Sequence, residues 1–199
     1  MAKNTKKTKG YSPRKVNTRE IKQRFLIVCE GTKTELNYFK SFRVPTVPVN
    51  VQGLGRDPSK IVQYAKMLSE EDEYDQIWCV FDRDSWTKEN FSNTISIAKS
   101  YQFKIAYSNE SFELWYILHF EFRNTAMPRI DYETRLTTLL GKVYQKNSLT
   151  AYDDLIDRQD VAIHNAEKLL TQYEPHNPVE DNPSTTVHLL VQELNRFIS

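Results

Sequence analysis

The sequence predicts an α/β fold: a parallel sheet flanked by helices, followed by a mainly helical C-terminal region. Three observations carry this. FLIVCE (25–30) and QIWCVFD (76–82) are short, continuously apolar runs that end in an acid, as expected of strands buried on both faces. Around them, helical periodicity alternates with further short apolar runs, which is the signature of a parallel sheet with crossover helices. From Arg123 onward only helical patterns remain.

The elements follow in order. Residues 1–23 are polar and basic with no hydrophobic periodicity, and are expected to form a flexible arm. After the first strand, Gly31 makes a turn, Thr32 or Thr34 is available as a cap, and Leu36, Tyr38, Phe39 and Phe42 form an apolar stripe. VPVNVQGLG supplies a second strand and a glycine-containing turn. Asp57-Pro58 reads as an N-cap with proline at the first helical position, opening a helix with Ile61, Tyr64, Ala65 and Leu68 on one face. The third strand, 76–82, leads through DRDSWTKEN to a helix over Phe91–Tyr101, and FKIAYS is the fourth strand. SFELWYILHF (111–120) is apolar nearly all round, which predicts a buried helix with Ser111 or Asn109 near its cap. Further helical patterns cover YETRLTTLL, LTAYDDLIDRQDVAIHNAEKLL and, after a proline-marked loop, TTVHLLVQELNRFI. Ser184, Thr185 and Thr186 read first as an N-cap cluster for that last helix. The implied organisation is a basic arm over 1–23, an α/β core over 24–122 and a helical extension over 123–199 packed on the core.

Composition narrows the function. The chain has 199 residues, 27 Lys+Arg and 26 Asp+Glu, for a net charge of +1. Residues 1–24 hold nine of those cations and one acid, a local +8 that leaves −7 for the rest. A basic segment of this kind suits a phosphate backbone, and Lys3, Lys6, Lys7, Lys9, Arg14 and Lys15 are the candidate contacts. The two cysteines, Cys29 and Cys79, each lie in an apolar run and read as buried thiols. No apolar run approaches a membrane span and no apolar leader follows the N-terminal charges, so a cytoplasmic location away from membranes is expected.

The chemistry concentrates at the strand ends. In a parallel α/β sheet, ligands bind beyond the carboxyl ends of the strands, where Glu30, Asp82 and Asp84 fall. Clustered carboxylates repel unless a cation neutralises them, and hard oxygen donors suit Mg²⁺ or Mn²⁺. Such an ion polarises a phosphodiester and helps activate the attacking water. Strand-end acids also commonly cap helices or stay solvated, so both readings stand at this level. Lys33, Arg56 and Arg83 lie beside the same ends and are candidate phosphate contacts, against the alternative of solvated or turn-forming residues. Glu110 and Glu113 are three apart and would share a helix face at that helix's N-terminus, which the macrodipole alone would explain, while Glu113 would also open onto the cleft. His119 and Trp115 read as core. GTKT lacks the glycine spacing and the G-K-[ST] of a phosphate-binding P-loop, which excludes nucleotide hydrolysis on that motif. The histidines are too scattered for a zinc motif.

LIVCEGTKTE followed by IWCVFDRDSW resembles the Toprim signature, a glutamate ending the first strand and a D-x-D ending the third. More narrowly, VCEGTKTELNYF, VFDRD, AYSNESFELWYILHF and NPSTTVHLLVQEL resemble the RloB family, which includes the AbiL-type abortive-infection component. The resemblance runs from about residue 24 to the end of the chain. Relatives often carry proline where this chain has Glu110. The resemblance implies a Toprim-like core in which Glu30, Asp82 and Asp84 bind Mg²⁺ or Mn²⁺, with Glu30 doubling as general base or acid and Glu113 joining the site. It implies a nuclease acting on RNA, with tRNA as one candidate, or on DNA, in bacterial anti-phage defence beside an ATPase encoded nearby, with self-association left open. The alternatives are a non-catalytic Toprim-fold binding or regulatory subunit of an ATPase-containing complex, and a phosphoacceptor domain of receiver type. The latter is weakened because Lys104 lies at the start of its strand.

Overall fold

A computed structural model describes residues 23–42, 44, 48–55, 58–83 and 86–198. The basic arm, Arg56, the Asp57 cap and Asp84 lie outside the described residues. Five strands, β1 (Phe25–Cys29), β2 (Val49–Gly53), β3 (Gln76–Asp82), β4 (Lys104–Asn109) and β5 (Ser184–Thr185), form one sheet in the order β2-β1-β3-β4-β5. The first four are parallel and β5 is antiparallel to β4. The helices are α1 (Thr34–Lys40), α2 (Ile61–Glu71), α3 (Lys88–Ser100), α4 (Glu113–Leu118), α5 (Arg129–Leu140), α6 (Ala151–Leu155), α7 (Gln159–Leu170) and α8 (Val187–Asn195). The mostly parallel, helix-flanked sheet matches the expected α/β class and is consistent with a Toprim-like arrangement.

The period-two geometry of β1 explains why the run FLIVC must be apolar throughout. Phe25, Ile27 and Cys29 enter one core with Tyr38, Phe39, Trp115 and the C-terminal helices, whereas Leu26 and Val28 enter a second core with Ile61, Ala65, Phe91 and Ile95. All five β1 residues are fully buried. Burying an aliphatic or aromatic side chain of that size contributes about 1.5–3 kcal/mol, so a charge on either face of this strand would be costly. Helices α2 and α3 therefore cover one face, and α1 and α4 cover the other with α5 to α8. Trp115, Leu118, Leu136, Leu169 and Leu190 belong to that same first core. The C-terminal helices consequently share the sheet's core instead of burying one of their own. Both cysteines are free and buried, as the sequence implied, and burial pushes the Cys79 thiol up to about 12.

Three local expectations are corrected. Neither Thr32 nor Thr34 caps α1: the Thr34 hydroxyl donates to the Lys146 carbonyl at 3.2 Å, tying the helix start to the C-terminal region. Neither Asn109 nor Ser111 caps α4: the Asn109 amide donates to the Asp181 carbonyl at 2.8 Å, and the Ser111 hydroxyl donates to the Glu113 carboxylate. Of the Ser-Thr-Thr cluster, Thr186 holds the N-cap position of α8 without a side-chain cap bond and the Thr185 hydroxyl accepts from the Val187 N–H at 3.3 Å, but Ser184 and Thr185 also pair as the edge strand β5. The Thr185 hydroxyl donates to the Tyr107 carbonyl and the Tyr107 N–H donates to the Thr186 hydroxyl, both at 3.0 Å, so these hydroxyls finish the edge of β4. Helix α3 does use a side-chain cap, Thr87, which accepts from the Asn90 N–H at 3.1 Å.

Candidate functional site

The strand ends are drawn together by backbone pairing that continues past the sheet. Glu30 N–H donates to the Val80 carbonyl at 2.8 Å, Gly55 N–H to the Glu30 carbonyl at 3.0 Å and Arg83 N–H to the Ser108 carbonyl at 2.8 Å. The loops after β1 and β2 thus lie side by side over the carboxyl edge. Two glycines permit this. A Cβ on Gly53 would fall 3.0 Å from the Gly31 carbonyl oxygen, and one on Gly55, which takes a positive φ of 63°, would fall 2.6 Å from the Thr32 methyl.

A cleft of about 340 Å³ opens at this edge, lined by Glu30, Glu35, Asp82 and Glu113 and by the cations Lys33, Arg129 and Lys146. Three of the four acids were legible at strand ends or in the FELW segment. Glu35 was not. It sits in the first turn of α1, 8% exposed, and sequence alone gives it the ordinary role of a helix N-terminal acid. The available signal was spacing, since a helix leaving the end of β1 after a short turn must begin at the cleft.

Each acid is held differently. Glu30 is half-buried and accepts from the Asp82 N–H at 3.2 Å and from the Trp86 indole at 3.4 Å, while Trp86 stacks on Phe81 with centroids 5.4 Å apart. Burial raises the Glu30 carboxyl above its ordinary range, against the hydrogen bonds and Arg129 that pull it down. Asp82 is 5% exposed and is pushed well above the carboxylate range, first by burial and then by Glu35, Glu113 and Glu30. The Phe112 N–H reaches its carboxyl, yet Oδ1 has no hydrogen-bond partner among the described residues. Glu35 rises to about 7, by burial and then by Glu113 and Glu30. Glu113, 3% exposed, accepts from Ser111 and, at 3.1 Å, from the Tyr144 hydroxyl. Burial and the nearby Glu113 raise the Tyr144 phenol strongly, so it remains a donor across the physiological range.

In kind, though not in spacing, the donors suit a hard divalent cation. They are carboxylates, they repel one another in a desolvated cleft, and a buried Asp82 oxygen stands unpartnered there. Among the described residues no three His, Cys, Asp or Glu side chains are close enough to encircle one ion. Lys33, Arg129 and Lys146 supply the opposite charge to the same space, and Lys146 also pairs with Glu133 at 3.0 Å. A site with both signs can neutralise an ion on one side and a phosphate on the other. Arg129, Tyr144 and Lys146 come from the C-terminal region, and sequence reasoning missed all three because only the fold brings them to the strand ends.

Arg83 and Glu110 are not brought into this cleft. The Arg83 guanidinium donates to the Trp86 carbonyl and lies 5.7 Å from the Phe91 ring centre. It lines a separate cavity with Asn109 and Glu110. Glu110 precedes α4, so it does not share a helix face with Glu113 as its spacing suggested, and the Asn109–Glu110 peptide is cis. His119 is a core residue as expected: Nδ1 lies 2.9 Å from the Trp115 carbonyl, and burial lowers its pKa to about 4, keeping it neutral.

Tyr144 gives a direct test of how Glu113 is held. Tyr144→Phe removes the donor while keeping the ring, and is expected to cost about 1–3 kcal/mol by leaving a buried carboxyl oxygen short of a partner. Chemical denaturation measures this. An unchanged midpoint and slope would mean that Ser111 alone suffices to hold Glu113.

Among the described residues no helix is long and apolar enough to cross a membrane. Comparison with curated proteins and with solved structures gave no match. A family model described as RloB-like protein matches residues 25–194, spanning the sheet, all four cleft acids and the three cleft cations, and the chain belongs to the RloB-like family.

Proposed function

We propose that the chain is a Mg²⁺- or Mn²⁺-dependent nuclease that cleaves phosphodiesters of RNA, with tRNA one candidate, or of DNA, in bacterial anti-phage defence. The observation that carries this is one cleft at the carboxyl ends of parallel strands holding Glu30, Glu35, Asp82 and Glu113 opposite Lys33, Arg129 and Lys146. A pure phosphate binder gains nothing from four acids facing its ligand. Glu30, Glu35, Asp82 and Glu113 are the carboxylates from which a cation would draw its ligands, no three of them encircling it in the spacing described, and Asp84 would join them by its place in the D-x-D. When bound, the ion supplies charge neutralisation and polarises the phosphodiester.

The chain's own residues do the rest. Lys33, Arg129 and Lys146 attract and orient the phosphate, the cations acting as charge-assisted donors. Glu30, whose carboxyl is raised by burial, is suited to take or give a proton and is aligned by Trp86 and the Asp82 N–H. Tyr144 and Ser111 hold Glu113 in place. The ATPase partner and the defence role rest on the family resemblance alone.

The test is direct. Purified full-length chain should cleave a mixed pool of single-stranded RNA, tRNA and DNA with Mg²⁺ or Mn²⁺, and chelator should remove the activity. Cleavage that persists undiminished in excess chelator would refute the metal role, and binding without any cleavage would favour a non-catalytic module.

A further inference from the structure

The segment 141–150, between α5 and α6, is a wall with two sides. Lys146 faces the carboxylate cleft, whereas Tyr144, Gln145, Ser148 and Thr150 line a second cavity of about 260 Å³. Tyr144 joins the two: it lines the cavity, and its hydroxyl donates to Glu113 of the cleft at 3.1 Å.

The cavity is smaller than the roughly 300–1,000 Å³ typical of sites for drug-sized ligands, which suits a single ring system. Its lining is specific in kind. Leu136, Leu140 and Leu155 supply apolar surface, Tyr116 and Tyr144 supply aromatic rings whose hydroxyls are bonded to the Thr34 carbonyl and Glu113, and Gln145, Ser148 and Thr150 supply hydrogen-bonding groups. The acid in it, Asp154, is already engaged by Lys142 at 2.7 Å, so neither a cation nor a phosphate is called for. A flat ring with an apolar face and a polar edge matches this surface, and that is the chemistry of a nucleobase splayed out of a single strand.

We propose that this cavity receives the nucleobase next to the phosphodiester held in the cleft, so that segment 141–150 sets base preference. The inference rests on the nuclease reading. A strand whose phosphate meets Lys146 on one side of the wall has its neighbouring base at Tyr144 and Gln145 on the other.

The experiment has a binding arm and a cleavage arm, both with the full chain. Binding of the four nucleoside monophosphates is measured by saturation-transfer NMR on the wild type, Ala151→Phe and Gln145→Ala. Ala151 lines the cavity at the start of α6 and is not part of the cleft lining, so a phenyl ring there is placed to occlude the cavity; Gln145 is exposed, so its loss should leave the fold intact. At least one monophosphate should bind with transfer strongest at its base protons. Ala151→Phe should weaken that by about tenfold or more, and Gln145→Ala should change which base is favoured. In the cleavage arm, sequencing of cut ends from randomised RNA should show a base preference beside the cut that Ala151→Phe flattens, with KM rising more than kcat falls. No monophosphate binding by the wild type, or equal binding and equal base selection by the wild type and both cavity variants, overturns the proposal. If the wild type cuts nothing, the nuclease reading fails while the binding arm still decides the cavity.

Discussion

Asp82→Asn is expected to lower cleavage by at least about 10³-fold while the chain stays folded and becomes somewhat more stable at pH 8. Asp82 ends β3 opposite Ser108 of β4, and its N–H donates to the Glu30 carboxylate at 3.2 Å, so its position is fixed from both sides. Its carboxyl faces Glu30, Glu35 and Glu113, and one of its oxygens has no partner among the described residues. Nothing in the fold needs that charge, and burial and three neighbouring acids all oppose it. Holding the sheet does not require a carboxylate in that environment, which makes Asp82 a candidate for the site's chemistry. Asparagine keeps the size and one acceptor oxygen but removes the charge a cation requires. An ion contributes several kcal/mol of transition-state stabilisation, and each 1.36 kcal/mol is a factor of ten, which sets the expected loss. The checks are initial rates on a labelled substrate and thermal melts of both proteins in chelator. Cleavage within tenfold of wild type would remove Asp82 from the site, and a cooperative melt at or above the wild-type temperature shows that any loss is chemical.

The parts of this site that were legible in the sequence are those fixed by local pattern. FLIVCE and QIWCVFD are apolar because both faces of β1 and β3 are covered, and the acids that end them must therefore emerge at the carboxyl edge. Glu113 was legible through the buried helix that follows β4. Glu35 was hidden because an acid in a first helical turn needs no special explanation. Tyr144, Lys146 and Arg129 were hidden for a different reason. Their placement depends on α5 packing against α4 and on Thr34 bonding the Lys146 carbonyl, contacts that no periodicity encodes. Strand β5 was misread because two residues are too few for a period-two signal, and Ser-Thr-Thr before a helix is chemically indistinguishable from a cap until the edge of β4 is seen to need partners.

Glu35→Gln should give a large gain in stability, and its pH dependence identifies the cause. Glu35 titrates near 7 in the folded chain against an ordinary value of 4.5. Between those values the folded state holds more protons than the unfolded state, so the group's contribution is fully present below pH 4.5 and is lost as pH rises through 7. Above that the wild type carries a penalty of about 3 kcal/mol, at 1.36 kcal/mol per pKa unit. Glutamine keeps the shape without the charge. The difference between variant and wild type should therefore be small near pH 4.5, grow through neutrality and level off near pH 8 at about 2–3 kcal/mol, or roughly 5–10 °C in Tm for a chain this long. Mg²⁺ or Mn²⁺ supplies a second, independent reading. An ion held by these acids relieves the same repulsion, so it should raise the wild-type Tm at pH 8 and raise that of Glu35→Gln less. Two melting series decide it, one against pH in chelator and one against metal at fixed pH. Profiles that run parallel from pH 5 to 8 would show that Glu35 is not strained by its neighbours, and an equal metal shift in both proteins would place the ion away from Glu35.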